Sequence, residues 1–289
     1  MAASLRRSRP WTFYALLAFF CLFVLFLYGP MSVIYVLSFQ SRDGGLTFPM
    51  RGASLHWFQA LIEQRQVGDL HAAFARSLSL AVLSALLTVV ISTCAGFAFR
   101  RGFRGSGTVF YLAVSSLVMP GIFVGLGIAL SFQALGLQAN WWVSGLAAQL
   151  TWTLPFGLLI MFAILGRLDK SYEEAAADLG ASAWQRVRHV TLPIILPGLI
   201  GVALFGFTLS YDEFPRTILT VGSGTTLPIE IWTMTTNVTS PALYAVGTVT
   251  TVVSFIVIAS ALVAIVRIQR RRAVRRNTSP TETKDLQQQ

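Results

Sequence analysis

Charge is scarce in this chain, and cysteine and lysine are nearly absent. Asp, Glu, Lys and Arg make up 12% of the 289 residues, and Lys170 and Lys284 are the only lysines. Cys21 and Cys94 both lie inside apolar runs, and no His/Cys cluster accompanies the three histidines, so neither a disulfide framework nor a metal site is indicated. The shortage of lysine also removes a phosphate-binding loop. Such a loop needs G-x-x-x-x-G-K-[S/T], whose lysine reaches the phosphates while the glycines expose backbone N–H groups. Before Lys170-Ser171 the required glycine positions hold Ile164 and Asp169, and Lys284 lies in a polar tail. No Ser/His/Asp arrangement or dinucleotide fingerprint occurs either, so no catalytic residue is assigned and no cofactor is expected in this chain.

What the chain has in place of charge is apolar length. Hydrophobic residues make up 54%, with a mean hydropathy of +0.65, which excludes an ordinary soluble domain. A helix of roughly 20 residues crosses a hydrocarbon core of about 30 Å. Stretches of that order lie near 11–39, 73–99, 108–133, 141–165, 195–216 and 242–267, so the expected fold is an all-α membrane protein with six transmembrane helices. The first stretch outruns a signal-peptide h-region and lacks a small-x-small cleavage site, so it is expected to remain as a span.

The net charge of +10 is explained by where the cations fall. Of 22 Lys and Arg, 17 lie before residue 10, in Arg100, Arg101 and Arg104, in the 167–188 loop, or from Arg267 onward. With six spans these places share one side, and the positive-inside rule makes it the cytoplasm, with both termini there. The run 270–276 then reads as a stop-transfer anchor on anionic lipid, not as a nucleic-acid site. From Asn277 to Gln289 apolar content nearly vanishes, so that end is expected to be disordered. The organisation is an N-terminus over 1–10, a transmembrane domain over 11–268 and a basic tail over 269–289. Between the first two spans, Leu55, Phe58, Leu61 and Ile62 recur at helical spacing, which predicts a short interfacial helix with Trp57 at the membrane surface.

One polar insert, over 167–194, interrupts the apolar pattern. Ser171 with Glu174 and Ser182 with Gln185 each fit a capping box, so two helix starts stand eleven residues apart. Gly180 falls where the first helix must end, and Pro193 is expected to limit the second. A short projecting elbow follows. Ala175, Ala176 and Ala177 leave one stretch of the first helix with almost no side-chain bulk, and Glu173, Glu174 and Asp178 supply charge around it.

The spacing Glu174-Ala175-Ala176, Gly180, then Val190-x-Leu192-Pro193 resembles the EAA loop of type I ABC importer permeases, with Val190 where Ile is usual. The resemblance covers nearly all of 10–268, with a translocating core over about 70–267 opened by Arg76-Ser77-Leu78-Ser79-Leu80-Ala81. It implies the type I permease fold with cytoplasmic coupling helices. It also implies that Glu173, Glu174, Ala175, Ala176, Asp178, Gly180, Leu192 and Pro193 form the contact with an ATPase dimer that holds the ATP and magnesium. The implied assembly adds a second, paralogous permease and a solute-binding protein in a bacterial inner membrane, by alternating access.

Ser210, Tyr211, Asp212 and Glu213 stand near the outer end of the fifth span, where carboxylates are functional candidates. Two uses stay open: a substrate pathway, or pairing of Asp212 with Arg216 at i,i+4. The stretch 207–214 and the segment Thr226-Leu227-Pro228-Ile229-Glu230-Ile231-Trp232 resemble the spermidine/putrescine branch of these permeases, in its C-type subunit, with Pro215 and Arg216 departing from the usual aliphatic run. Relatives carrying phosphonate, ferric iron or other small solutes are the alternatives. A secondary transporter lacks support, since no inverted repeat is visible.

The arginine asymmetry sets a topology test. In a Cys21→Ser/Cys94→Ser background, cysteines placed at Gly45 and Gly222 should react with an impermeant thiol reagent from outside intact cells, and one at Ser182 should not. Outside labelling at Ser182 would overturn the six-span arrangement.

Overall fold

The computed structural model describes residues 10–63, 69–237 and 240–285, with side chains as far as residue 268 and again at 270. The expectation drawn from Arg6, Arg7 and Arg9 therefore lies outside the described residues. Two compact units divide the chain, one formed by 1–68 with 234–252 and the other by 69–233 with 253–289.

In the first unit, α1 (Trp11–Leu37) is apolar on every face and carries Pro30 inside. The loop after it is ordered by one side chain. The Gln40 side-chain carbonyl accepts the Arg51 N–H at 2.9 Å, and its amide donates to the Gly45 carbonyl at 3.2 Å. The Tyr244 hydroxyl donates to the Leu46 carbonyl at 2.7 Å. The predicted interfacial helix is α2 (His56–Ile62), but its orientation differs from expectation. Trp57 is 8% exposed, whereas Leu55 and Ile62 are 57% and 71% exposed. Seven residues are too few for an apolar stripe to set orientation, and the contact of the Phe39 and Phe58 rings at 5.2 Å sets it instead.

In the second unit, α3 (Leu70–Arg101) starts at Asp69, whose carboxylate accepts the Ala72 N–H at 3.0 Å, and ends with Arg100 and Arg101 in its last turn. Next come α4 (Ser106–Val118) and α5 (Gly121–Ala134), then a π-helical turn (Trp141–Gly145) leading into α6 (Leu146–Gly166). The elbow helices are α7 (Ser171–Asp178) and α8 (Ala183–Arg186). A π-turn (Val187–Thr191) joins α8 to α9 (Leu192–Tyr211); α10 (Leu227–Asn237) and α11 (Ala242–Asp285) follow in the chain and are each divided between the two units.

Five helical segments among the described residues are long and apolar enough to cross a membrane: Trp11–Leu37, Leu70–Arg101, Trp141–Gly166, Ala183–Tyr211 and Ala242–Ile268. The third expected span is not a straight helix. α4 and α5 meet at a bend of 110° and make a sixth span only if the pair counts as one. Pro120 explains the break, since it lacks the N–H that would continue α4 and pushes Met119 into an extended conformation, ψ 132°.

Two further expectations are corrected. Pro193 does not end the second elbow helix, which runs into the span. The π-turn just before it shifts the hydrogen-bond register, and the helix continues through Pro193 into α9. The tail expected to be disordered from residue 277 carries helical backbone to Asp285. Propagating an existing helix adds one bond per residue without a new nucleus, so composition alone does not end it.

What packs α3, α6 and α9 together is small and hydroxylated. The Thr88 hydroxyl donates to Thr153 Oγ1 at 2.7 Å, and Ser84 is 3.3 Å from the same atom. A Cβ on Gly157 would lie 2.6 Å from the Thr88 methyl, and one on Gly206 would lie 3.1 Å from the Ala85 Cα. Beside this seam sits an apolar cluster of Met161, Leu165, Leu168, Ile195, Leu199 and Val202. Close backbone approach with interhelical hydrogen bonds is how helices associate where lipid removes the hydrophobic drive.

Gly157→Val should therefore lower the thermal unfolding midpoint in detergent, by an overpacking cost of about 1–3 kcal/mol. Gly127→Val, where an added Cβ meets nothing within 4 Å, should leave it within error. Equal midpoints for the two variants would show that the α3–α6 seam is looser than described. For the topology test, Gly222 has φ +66° and its Cβ would strike the Ala139 carbonyl at 2.1 Å, so the exposed neighbour Ser223 is the sound position.

Candidate functional site

The elbow is built from local rules, though not all of those expected. Ser171 does not cap α7 through a box with Glu174. Asp169 does so instead, accepting the Ser171 N–H at 3.0 Å, because Lys170 occupies the cap position with helical dihedrals. That N–H, and after it the Ser171 hydroxyl, hold the exposed Asp169 carboxyl below its ordinary range. The folded pKa being the lower one, the cap is present above the ordinary carboxylate range and fades as pH falls through the lowered value.

At the other end the expectation for Gly180 holds, with φ +82°. The Ala181 N–H bonds the Ala176 carbonyl at 3.0 Å and the Gly180 N–H bonds the Ala177 carbonyl at 2.8 Å, the paired bonds of a Schellman motif. The second capping box is present: Ser182 Oγ accepts the Gln185 N–H at 3.3 Å, and Gln185 Oε1 accepts the Ser182 N–H at 2.8 Å.

The residues singled out in the elbow do not share one face. Glu173 turns inward. Its Oε1 pairs with Arg100 at 2.8 Å and accepts the Thr191 hydroxyl at 2.7 Å, tying α7 to the end of α3 and to the π-turn. Glu174, Ala175, Ala177 and Asp178 are exposed and Ala176 is half-buried. Leu192 and Pro193 are exposed at the start of α9. Two apolar side chains that sequence reasoning passed over complete the outward surface: Leu179 is 89% exposed and Trp184 is 67% exposed. Leu179 and Gly180 border a cavity of about 360 Å³ with Gln185 and His189. The signal was available, since large apolar residues in the one polar insert had no core to enter.

The acidic step at the end of α9 divides in a way that spacing did not show. Ser210 and Tyr211 are both 2% exposed. The Ser210 hydroxyl donates to Gln149 Oε1, and Tyr211 stacks on Phe207 with centroids 5.7 Å apart. Arg216 does not pair with Asp212. It pairs with Glu213, Nη1 to Oε1 at 3.2 Å, while the Arg216 N–H donates to the same oxygen at 3.0 Å. The helix ends at Tyr211, so i,i+4 spacing no longer brings 212 and 216 together, whereas the turn brings 213 and 216 together.

Arg216 is 4% exposed, and its guanidinium lies 4.4 Å from the Trp152 ring centroid. Gly121 and Gly125 of α5 press on it, for a Cβ at Gly125 would lie 2.6 Å from the Arg216 carbonyl oxygen. Asp212 is left exposed, outside this buried pair. Arg76 and Ser77 fix the chain beyond, with the Arg76 Nε–H donating to the Thr225 carbonyl at 2.6 Å and Ser77 Oγ accepting the Leu227 N–H at 2.8 Å.

A broken span, a projecting helix–turn–helix and a buried ion pair in the turn after α9 describe a transport subunit better than a catalyst. Residues 88–275 match the model of the binding-protein-dependent transport system inner membrane component, and the chain belongs to that family of ABC importer permeases. It is 31% identical over 242 residues to the spermidine/putrescine transport system permease protein PotC of Escherichia coli (strain K12), covering 83% of this chain and 89% of that one. It is 31% identical over 251 residues to the putrescine transport system permease protein PotI of the same strain, covering 83% and 85%. The putative 2-aminoethylphosphonate transport system permease protein PhnV of Salmonella typhi is 31% identical over 221 residues, covering 74% and 80%. Among solved structures, a bacterial ABC transporter importing the acidic polysaccharide alginate shares the fold with TM-score 0.66 at 17% identity, covering 89% of this chain and 96% of that one. The MetNI methionine ABC transporter gives TM-score 0.54 at 18% identity, covering 74% and 99%.

The split between the acids yields an expected outcome. Glu213→Gln leaves Arg216 buried without its counter-charge and should destabilise the protein by about 3 kcal/mol or more. Asp212→Asn should change stability by less than about 0.5 kcal/mol, as exposed substitutions do. Thermal unfolding of the two variants in detergent checks this, and the reverse order would show that Asp212 carries the pair.

Proposed function

We propose that the chain is one of two paralogous permease subunits of an ATP-driven importer that takes a polyamine of the spermidine or putrescine kind from an external solute-binding protein. The observation that carries the coupling half of this reading is the elbow: α7, the Gly180 turn and α8 form a rigid projection whose outer surface is alanine, Leu179 and Trp184 and whose inner surface is pinned by Glu173. An ATPase dimer holding ATP and magnesium grips that projection from the cytoplasm, where both termini also lie. Closure of the dimer moves α7 and α8 together. Because α8 continues into α9 through the π-turn, the displacement passes to the span that ends at the acidic step.

The polyamine half rests on the resemblance to PotC and PotI and on one feature of the acidic step. Arg216 would oppose a cationic solute if its charge faced the pathway, but Glu213 and Trp152 consume it, which leaves the Asp212 carboxylate as the local charge on offer. A phosphonate reading has support from the likeness to PhnV and would call for an unspent cation near the same place. Arg216 does not provide one.

Uptake of labelled spermidine and of labelled 2-aminoethylphosphonate, measured in cells holding the whole transporter, separates the solutes. Spermidine should accumulate and the phosphonate should not. Glu174→Arg and Leu179→Asp should each abolish that uptake with membrane levels of the subunit unchanged, and the ATPase should no longer co-purify, since both change exposed side chains of the elbow while Arg100 and Glu173 are retained. Normal uptake with normal co-purification in both variants would remove the coupling role from the elbow.

A further inference from the structure

Two cavities meet at the root of the elbow. One, of about 360 Å³, opens between the end of α3, the start of α7 and α8, and its wall includes Arg100, Arg101, Lys170, Arg186, Phe97 and Glu174. The other, of about 420 Å³, is walled by Phe99, Phe162, Leu165 and Leu168 and again by Arg100 and Lys170. A basic hollow and an apolar groove thus share two side chains.

Their position in the membrane follows from length. The 32 residues of α3 extend about 48 Å against a hydrocarbon core of about 30 Å, so the helix overhangs the core, and Arg100 and Arg101 put its last turn at headgroup level. The groove lies beside it, over residues 96–100 of α3 and 162–166 of α6, with Phe99, Phe162 and Leu165 as its apolar wall. Charge in the hollow is not balanced within it. Arg100 is spent on Glu173, and Glu174 is the other carboxylate of the wall, facing Arg101, Lys170 and Arg186. No ion pair within 4.0 Å joins any of these three cations to an acid among the described residues. The Nε of Arg186 is shielded from solvent with no hydrogen-bond partner among them.

We propose that these cavities together form a site for one anionic phospholipid, its phosphodiester held by Arg101, Lys170 and Arg186 and an acyl chain lying along Phe99, Phe162 and Leu165. A free phosphate would satisfy the hollow and leave the groove unused, and a zwitterionic lipid would bring its own cation into a wall already rich in them. Basic pockets between spanning helices, at the level of the headgroups, are the general form of such recognition. The site has a structural consequence. Arg100 and Glu173 form part of its wall, so an occupant braces the bond that pins the elbow to α3, and the elbow becomes sensitive to the lipid around it.

The test uses the full-length chain in nanodiscs made from equal parts phosphatidylglycerol and phosphatidylcholine, released and weighed by native mass spectrometry. Wild type should retain phosphatidylglycerol in clear preference to phosphatidylcholine. Arg101→Gln, Lys170→Gln and Arg186→Gln should each lower that preference about fivefold, as expected for a cation near the headgroup plane. Arg104→Gln, whose side chain does not line either cavity, should not. Gly166→Trp fills the groove from a position where an added Cβ meets nothing within 4 Å, and should reduce retention without lowering the unfolding midpoint. No preference in wild type, or an unchanged preference in all three single variants, overturns the proposal. Inorganic phosphate that displaces the lipid and binds Gly166→Trp as well as wild type would identify a free-anion site and overturn the lipid assignment.

Discussion

The close approach of α3 to α6 and α9 is the constraint from which the rest of the second unit follows. In a lipid environment apolar side chains gain little by leaving their surroundings for one another, so helices hold together by van der Waals fit and by hydrogen bonds across the seam. The Thr88–Thr153 bond, with Ser84 beside it and Gly157 and Gly206 lying against the same helix, supplies both terms. Once these three helices are fixed, the ends of α3 and α9 are fixed as well, and the elbow and the acidic step are built on those ends.

Two ion pairs convert that frame into working parts, and they do so at different depths. Arg100 with Glu173 is partly exposed, at 18% and 26% of side-chain surface, so its Coulomb term is screened and its value lies in direction. Reinforced by Thr191, it sets the angle at which α7 leaves the bundle. Glu213 with Arg216 is nearly sealed, at 7% and 5%. There the cost of desolvation is met by the second bond from the Arg216 N–H and by the Trp152 ring, and the pair closes the turn after α9 against Gly121 and Gly125. The broken α4–α5 span belongs to the same arrangement, because only the bend at Pro120 brings those two glycines onto Arg216.

Much of this was legible in one dimension. Apolar length announced the spans, since the bilayer imposes a length that no soluble fold demands of so many segments. Gly180 and Ser182–Gln185 were legible because caps are local and their partners lie within a few residues. The reading failed where a local rule had more than one solution. Ser171 and Glu174 fit a capping box in spacing, but Asp169 reached the same N–H first. Asp212 and Arg216 fit a helical pair in spacing, but the helix had ended one residue earlier. Pro193 fits a helix stop, yet the π-turn before it shifts the hydrogen-bond register and the helix runs on into α9.

The sequence by itself determined the class of environment, the helical content, the position of the elbow and the family, because hydropathy, caps and the EAA spacing are properties of neighbouring residues. Only the tertiary structure decided which acid faces which cation. Glu173 and Glu174 are adjacent in the chain and chemically alike, and so are Asp212 and Glu213. In each case one carboxylate is spent inside the protein and the other is left to the outside. For the first pair that choice depends on Arg100 and Thr191, which reach Glu173 from other elements; for the second it depends on where α9 ends, which lets the turn bring Arg216 to Glu213, and on Trp152, which reaches Arg216 from α6. No spacing along the chain encodes a distance between elements that folding alone brings together.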